Sequence, residues 1–181
     1  MKRRLFLTGP IGCGKSTAIT QALGERTQQC GGFLTRRHRE PYLHFTLESP
    51  DGQHSETFLD FSDGKPRLHR NVFSQLGVDL LKGDILVLDE IGGIELLDPN
   101  FAAALDTVLK SSVPILGVVK GDGPAGALVE ALGLTEEYKR AVSQLREQLC
   151  SDIDTLVYEC GQFDEKAYQL AKQWAEEYWH D

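Results

Sequence analysis

Along the chain, short runs of aliphatic residues alternate with longer stretches in which apolar positions recur every three or four residues. The first pattern predicts strands, the second helices with one buried face. Leu5, Phe6 and Leu7 form an apolar run that stops at Gly9, and residues 16–23 read as helix, with Ile19 and Leu23 on one face. Residues 31–35 predict a second strand, followed by a polar, basic turn over residues 36–41. Residues 42–47 alternate, Asp51-Gly52 marks a turn, and residues 54–61 predict a further strand before Asp63-Gly64 breaks the chain.

Asn71 stands where it would cap a helix reaching about Leu81, with Val72, Phe73, Leu76 and Leu80 on one face. Residues 85–88 are continuously aliphatic, as a central strand buried on both faces requires. Asp98-Pro99 is a helix start, an acidic cap with proline at the first helical position. Residues 113–119 predict a strand, residues 125–132 a short helix ended by Gly133, and Thr135 a cap for the next helix. Residues 153–158 predict a last strand. A long amphipathic helix follows at 163–178, with Phe163, Ala167, Leu170, Ala171 and Trp174 on its core stripe. The alternation predicts an α/β fold with a largely parallel sheet flanked by helices. One domain over residues 1–181 is expected, with residues 31–61 a β-rich insertion of hairpins.

Composition narrows this little: 41% hydrophobic and 25% charged residues are ordinary for a globular chain. Lys and Arg number 19 against 27 Asp and Glu, a net charge of -8, which gives no general attraction to nucleic acid or to an anionic membrane. The basic start, Lys2, Arg3 and Arg4, reads as the solvent-exposed beginning of the first strand. The apolar run behind it is too short for a signal segment, so a cytoplasmic location is expected. The cysteines, Cys13, Cys30, Cys150 and Cys160, form no CxxC pair, which speaks against a zinc or redox motif. The histidines, His38, His44, His54, His69 and His180, lack metal-ligand spacing.

One segment changes the picture. Gly9, Pro10, Ile11, Gly12, Cys13, Gly14, Lys15 and Ser16 fit GxxxxGK[ST], with Thr17 next, between an apolar strand and a helix. Glycines let backbone N–H groups turn inward onto phosphate oxygens and leave the phosphates room, and the helix aims its N-terminal donors at the same anion. Lys15 would reach the β- and γ-phosphates, and the Ser16 hydroxyl would join a Mg2+ shell. Cys13, inside this loop beside Lys15, is a candidate reactive thiol. The aliphatic strand at 85–88 ends in Asp89 and Glu90. Asp89 is the expected magnesium acid and Glu90 the base that orients and deprotonates an attacking water. The fold expected is therefore a P-loop NTPase with a Rossmann-like sheet.

Gly32-Phe-Leu-Thr-Arg36, Leu88-Asp-Glu-Ile-Gly92, Glu95-Leu96, Phe101 and Pro114-Ile-Leu-Gly-Val118 resemble the THEP1 family of small P-loop nucleoside-triphosphatases, over about residues 5–120. The resemblance implies slow, Mg2+-dependent hydrolysis of ATP and other nucleoside triphosphates, broad in base. Carried onto this chain, it places Glu95 as a second acid that fixes the loop after the strand or the attacking water. It places Thr35 and Arg36 near the phosphates, with Arg36 or Arg37 supplying transition-state charge. Gly93-Ile94 departs from the family's lysine-methionine pair, and the late Asn-Arg-Asp segment is replaced by Tyr158-Glu-Cys-Gly161.

Weaker signals stay open. The cluster Arg36, Arg37, His38 and Arg39 is either a solvated hairpin turn or a phosphate or partner contact. Of Lys139, Arg140 and Arg146 on one predicted helix, Arg140 or Arg146 is either a surface salt bridge or a phosphate clamp. Lys120-Gly-Asp122 matches part of a guanine-reading motif without its asparagine. Two other functions compete with hydrolysis: a nucleotide or small-molecule kinase, its acceptor held between the hairpins and the helix near Arg140, and a nucleotide-gated binding module. A monomer that binds a nucleoside triphosphate, without membrane or nucleic acid, is the expected assembly; a protein partner is not specified.

Overall fold

The computed structural model describes residues 1–121, 125–162 and 164–179, with the backbone alone at 125–127. Asp122, Phe163 and His180 lie outside the described residues. Arg4–Thr8 (β1) lies at the centre of the fold. Its alternate side chains go to opposite faces, Leu5 and Leu7 to one core layer and Phe6 to the other, as the two-residue period of a strand demands. Gly31–His38 (β2), His44–Glu48 (β3), Ser55–Asp60 (β4), Arg67–Leu68 (β5), Leu86–Ile91 (β6), Ile115–Val119 (β7) and Thr155–Glu159 (β8) complete one eight-stranded sheet. Its order is β5-β4-β3-β2-β6-β7-β1-β8.

The strands from β8 to β6 run parallel, and β2 joins them through Gly31, Gly32 and Phe33. From Leu34 onward β2 pairs antiparallel with β3, and β4 and β5 extend this wing. The first strand of the β-rich stretch is thus part of the parallel sheet, and the hairpins grow from its far end. Arg36, Arg37 and His38, expected in a turn, belong to β2.

Helices cover both faces. On one, Lys15–Leu23 (α1) packs against Glu165–Tyr178 (α6) around the fully buried Trp174, whose indole N–H donates to the Arg3 carbonyl at 3.1 Å. On the other lie Val78–Leu80 (α2), Pro99–Leu109 (α3), Ala125–Ala131 (α4) and Thr135–Ser151 (α5), over Phe33 and Leu88 of the sheet. A π-helical stretch, Phe73–Gly77, precedes α2. There a Cβ on Gly77 would meet the Phe101 ring at 2.9 Å, so the glycine lets this helix approach α3 closely.

Capping explains several boundaries. Asp98 accepts from the Phe101 N–H at 2.9 Å, with Pro99 behind it, as the sequence implied. Asp164 caps α6 by accepting from the Lys166 and Ala167 N–H groups. Two expected caps are displaced: Asn71 already lies in the helical turn, and Thr135 is the first residue of α5, whose N-cap Leu134 offers no side-chain bond. Arg4 is not exposed. It is 4% accessible and forks onto Asp152 Oδ2 with bonds of 2.9 and 2.7 Å, a pairing across the sheet that strand periodicity cannot reveal. Among the described residues no helix is long and apolar enough to cross a membrane.

Candidate active site

β1 ends at Thr8, and the glycine-rich loop turns over β8 before α1 begins at Lys15. Gly9 has φ +134°, and a Cβ there would fall 2.6 Å from the Cys160 carbonyl oxygen. The crowding that demands glycine at this position is therefore the neighbouring backbone. The Cys160 N–H also donates to Thr8 O at 2.8 Å and ties the end of β8 to the loop. Lys15 is buried and folds back across the loop, donating to the carbonyls of Gly9 (2.9 Å) and Pro10 (2.7 Å). Its Nζ lies 3.6 Å from Cys13 Sγ, and Cys13 is itself buried.

The acidic strand is not the neighbour of β1, because β7 runs between them. The two sites nevertheless meet: Ser16 Oγ donates to Asp89 Oδ1 at 2.7 Å. Burial pushes the Asp89 carboxyl up to about 6, and the Glu90 charge adds to this. The Ser16 hydrogen bond, Arg36 and Lys15 oppose the rise. The aliphatic run does not stop at Leu88 but continues as strand to Ile91 through a bulge: Leu88 faces Gly117 and Ile91 faces Val119, one extra residue on β6. Glu90 occupies the bulge with φ +73°, the one non-glycine residue with positive φ among the described residues. Left-handed backbone at a glutamate is strained, and it turns the carboxylate toward Lys120, whose Nζ lies 4.0 Å from Glu90 Oε2.

Glu95 is buried and folds back on the loop after the strand, where its Oε1 accepts from the N–H groups of Gly92 (2.7 Å) and Gly93 (2.8 Å). Burial raises its pKa against the pull of the Gly93 N–H and Lys120. Of the two roles the resemblance implied, the geometry displays the loop brace. Tyr138 OH donates to Gly92 O at 3.2 Å from the opposite side. Thr35 Oγ1 donates to Asp89 O at 3.3 Å and so pins the bulge to β2. Arg36 is half-exposed beside Glu48, Nε to Oε2 3.8 Å, and its charge reaches Asp89. Arg146 Nη2 donates to the Lys120 carbonyl at 3.4 Å, whereas Arg140 is exposed on α5 and borders neither cavity at this site.

Two cavities open on the loop. One, of about 620 Å3, includes Gly9, Pro10, Arg146 and Glu159 in its wall. The other, of about 580 Å3, borders Gly12, Gly14, Ser16, Thr17, Arg36 and Glu95. Ile11, Lys15, Glu90 and Lys120 line both. Lys120, noted in the sequence only within a partial guanine-reading motif whose Asp122 lies outside the described residues, reaches Glu90 because β7 lies between the loop strand and the acidic strand.

The donor set suits Mg2+. A hydroxyl and a buried, desolvated carboxylate, already in contact, are hard oxygen donors at the start of a helix. Among the described residues no group of three or more His, Cys, Asp or Glu could hold a metal ion alone.

Comparison with known proteins gives a consistent picture. A model of the NTPase family matches residues 4–153. The chain is 30% identical over 132 residues to nucleoside-triphosphatase THEP1 of Methanocaldococcus jannaschii, covering 64% of this chain and 77% of that one. It is 28% identical over 186 residues to the cancer-related nucleoside-triphosphatase homolog of Mus musculus, covering 87% and 97%. The crystal structure of THEP1 from Aquifex aeolicus superposes with a TM-score of 0.62 at 17% identity, covering 90% of this chain and 92% of that one. The solution structure of a human cancer-related nucleoside triphosphatase gives 0.62 at 24% identity, covering 94% of each. At these identities the two structures speak for the fold.

Proposed function

Because this chain belongs to the NTPase family, and so is an enzyme of nucleoside triphosphates, we propose that it hydrolyses them to diphosphate and phosphate, slowly, with Mg2+ and little selection of the base. The observation that carries the reading is the contact of Ser16 Oγ with Asp89 Oδ1 at 2.7 Å, which joins phosphate loop and acidic strand into one centre beside Lys15 and Glu90.

The loop N–H groups and the start of α1 bind the phosphates. Lys15 exchanges its bonds to the Gly9 and Pro10 carbonyls for bonds to phosphate oxygens, so its charge is already in place when the triphosphate enters. Ser16 and Asp89 would hold Mg2+, which when bound supplies positive charge against the charge developing on the phosphoryl oxygens. Glu90 orients water and takes its proton as the new P–O bond forms and the bond to the bridging oxygen breaks. Lys120 keeps the Glu90 carboxylate turned to the shared wall of the two cavities. Glu95 fixes the loop that follows, and Arg36 contributes charge at the rim. The cytoplasm is the compartment proposed.

The test is phosphate release from ATP, GTP, CTP and UTP by the purified chain. Rates within about tenfold of one another, a free-energy spread of about 1.4 kcal/mol, and abolished by EDTA are expected. A single triphosphate accepted to the exclusion of the others, or release undiminished by EDTA, contradicts the reading.

A further inference from the structure

Water attack on a phosphoryl group needs room for one water, whose share of liquid volume is about 30 Å3. The space beside Glu90 on the metal side, which also takes in the phosphate-loop residues Gly12, Gly14, Lys15, Ser16 and Thr17, is far larger, about 580 Å3, within the range of pockets that hold whole small molecules. Its lining is not that of a water channel. Phe33, Phe45, Phe58, Phe61 and Phe73 border it together with Leu47, beside the polar groups of the phosphate loop and the acidic strand. Lys15, Ser16, Glu90 and Glu95 are part of its polar lining. Arg36 and Arg37 line it too, and the Arg37 guanidinium lies over the Phe45 ring at 6.0 Å.

The fold builds this room by a specific device. β2 leaves the parallel sheet at Leu34 and carries β3 and β4 outward, so that Leu47, Phe58 and Leu59 of the antiparallel wing face Ile94 and Leu128 across the gap. Phe58 packs against Phe73 with ring centroids 5.1 Å apart, which stiffens the wall. A second cavity of about 620 Å3 opens on the opposite side of the loop, with Arg146, Cys150 and Glu159 in its lining. The two meet at Lys15 and Glu90. A triphosphate seated on the loop with its nucleoside toward the second cavity leaves the phenylalanine-lined part of the first one open.

We propose that the aromatic cavity is a separate ligand site, occupied together with the nucleoside triphosphate, and that it takes a small aromatic molecule bearing an anionic group. Contact with the partly buried rings of Phe45 and Phe61 supplies the area, and Arg37, opposite Phe45 on the same strand face, recognises the anion. The inference rests on the reading that the loop holds the triphosphate. It adds to that reading a second molecule within reach of the γ-phosphate.

The test uses 1-anilinonaphthalene-8-sulfonate, an aromatic anion, and the full chain with Mg2+ and a non-hydrolysable ATP analogue. One dye per chain is expected to bind with the analogue present, and its neutral counterpart without the sulfonate is expected to bind more weakly. Arg37→Glu, an exposed position, is expected to raise the dye Kd about tenfold while leaving the analogue's Kd unchanged. Phe45→Ala, at a half-buried position, is the second variant and is expected to do the same. Displacement of the dye by the analogue would assign the aromatic cavity to the nucleoside and overturn the proposal. Dye binding that is absent, or indifferent to both variants, would overturn it too. Phosphate release measured on the same preparation separates this outcome from a failure of the hydrolase reading, which shows as no analogue binding and no turnover.

Discussion

At the scale of single residues, Glu90 carries both the chemistry and the cost of the site. Its φ of +73° is a conformation that glycine adopts freely and a residue with a Cβ does not. Replacing it by glycine and by alanine removes the same carboxylate, so the pair isolates the backbone. Glu90→Gly is expected to be more stable than Glu90→Ala by about 1 kcal/mol in urea unfolding, both being inactive. Equal stabilities would mean that the bulge stores no strain. Asp89 makes a pH prediction. Its folded pKa of about 6 lies above the ordinary 3.8, so the fold holds this proton more tightly than the unfolded chain does. Metal-free protein should therefore lose stability as pH rises from about 4 to about 6, with the loss complete above that range. Asp89→Asn removes this contribution. The thermal midpoint of the native chain should fall relative to that of Asp89→Asn across the window, and parallel curves would contradict it. Lys15, Ser16, Asp89 and Glu90 were all legible in the sequence, because each belongs to a local spacing with a chemical reason. Arg4 was not, since its burial depends on Asp152, far along the chain.

At the scale of elements, every strand but the two-residue β5 and most helices were legible from periodicity and the Asp98-Pro99 cap from its chemistry, whereas the bulge was not. A bulge is a property of two strands in register, and one strand's pattern cannot show that Leu88 and Ile91 on β6 oppose Gly117 and Val119 on β7. The same applies to Gly32. The sequence displayed a glycine before Phe33, but not that a Cβ there would lie 1.9 Å from the Val87 carbonyl oxygen, at φ +94°. The glycine at that position lets β2 approach β6 closely, and Thr35 then reaches the bulge. Gly32→Ala is expected to cost roughly 3 kcal/mol in denaturant unfolding, through clash and strain together. It should also impair turnover in the fraction that stays folded. A loss below about 0.5 kcal/mol, the range of ordinary surface substitutions, would contradict the close approach.

At the scale of the whole molecule, the order of strands decides what the site is. β7 between β1 and β6 brings Lys120 to Glu90, and the antiparallel wing beyond β2 builds the aromatic cavity. Neither was readable from local pattern. Strand order is fixed by contacts between distant segments, and the β-rich stretch looked like an appendage until its first strand joined the parallel sheet. The class of chemistry was readable, because phosphate binding needs a short, contiguous motif. The claim that joins these scales is that Glu90 activates water at a phosphate loop assembled through Ser16 and Asp89. The most direct measurement is phosphate release from MgATP by the native chain and by Glu90→Gln, with nucleotide affinity measured alongside. The account predicts an unchanged Kd and a rate lowered by about 10²–10⁴-fold. A Glu90→Gln chain that binds and hydrolyses ATP at the native rate would contradict it.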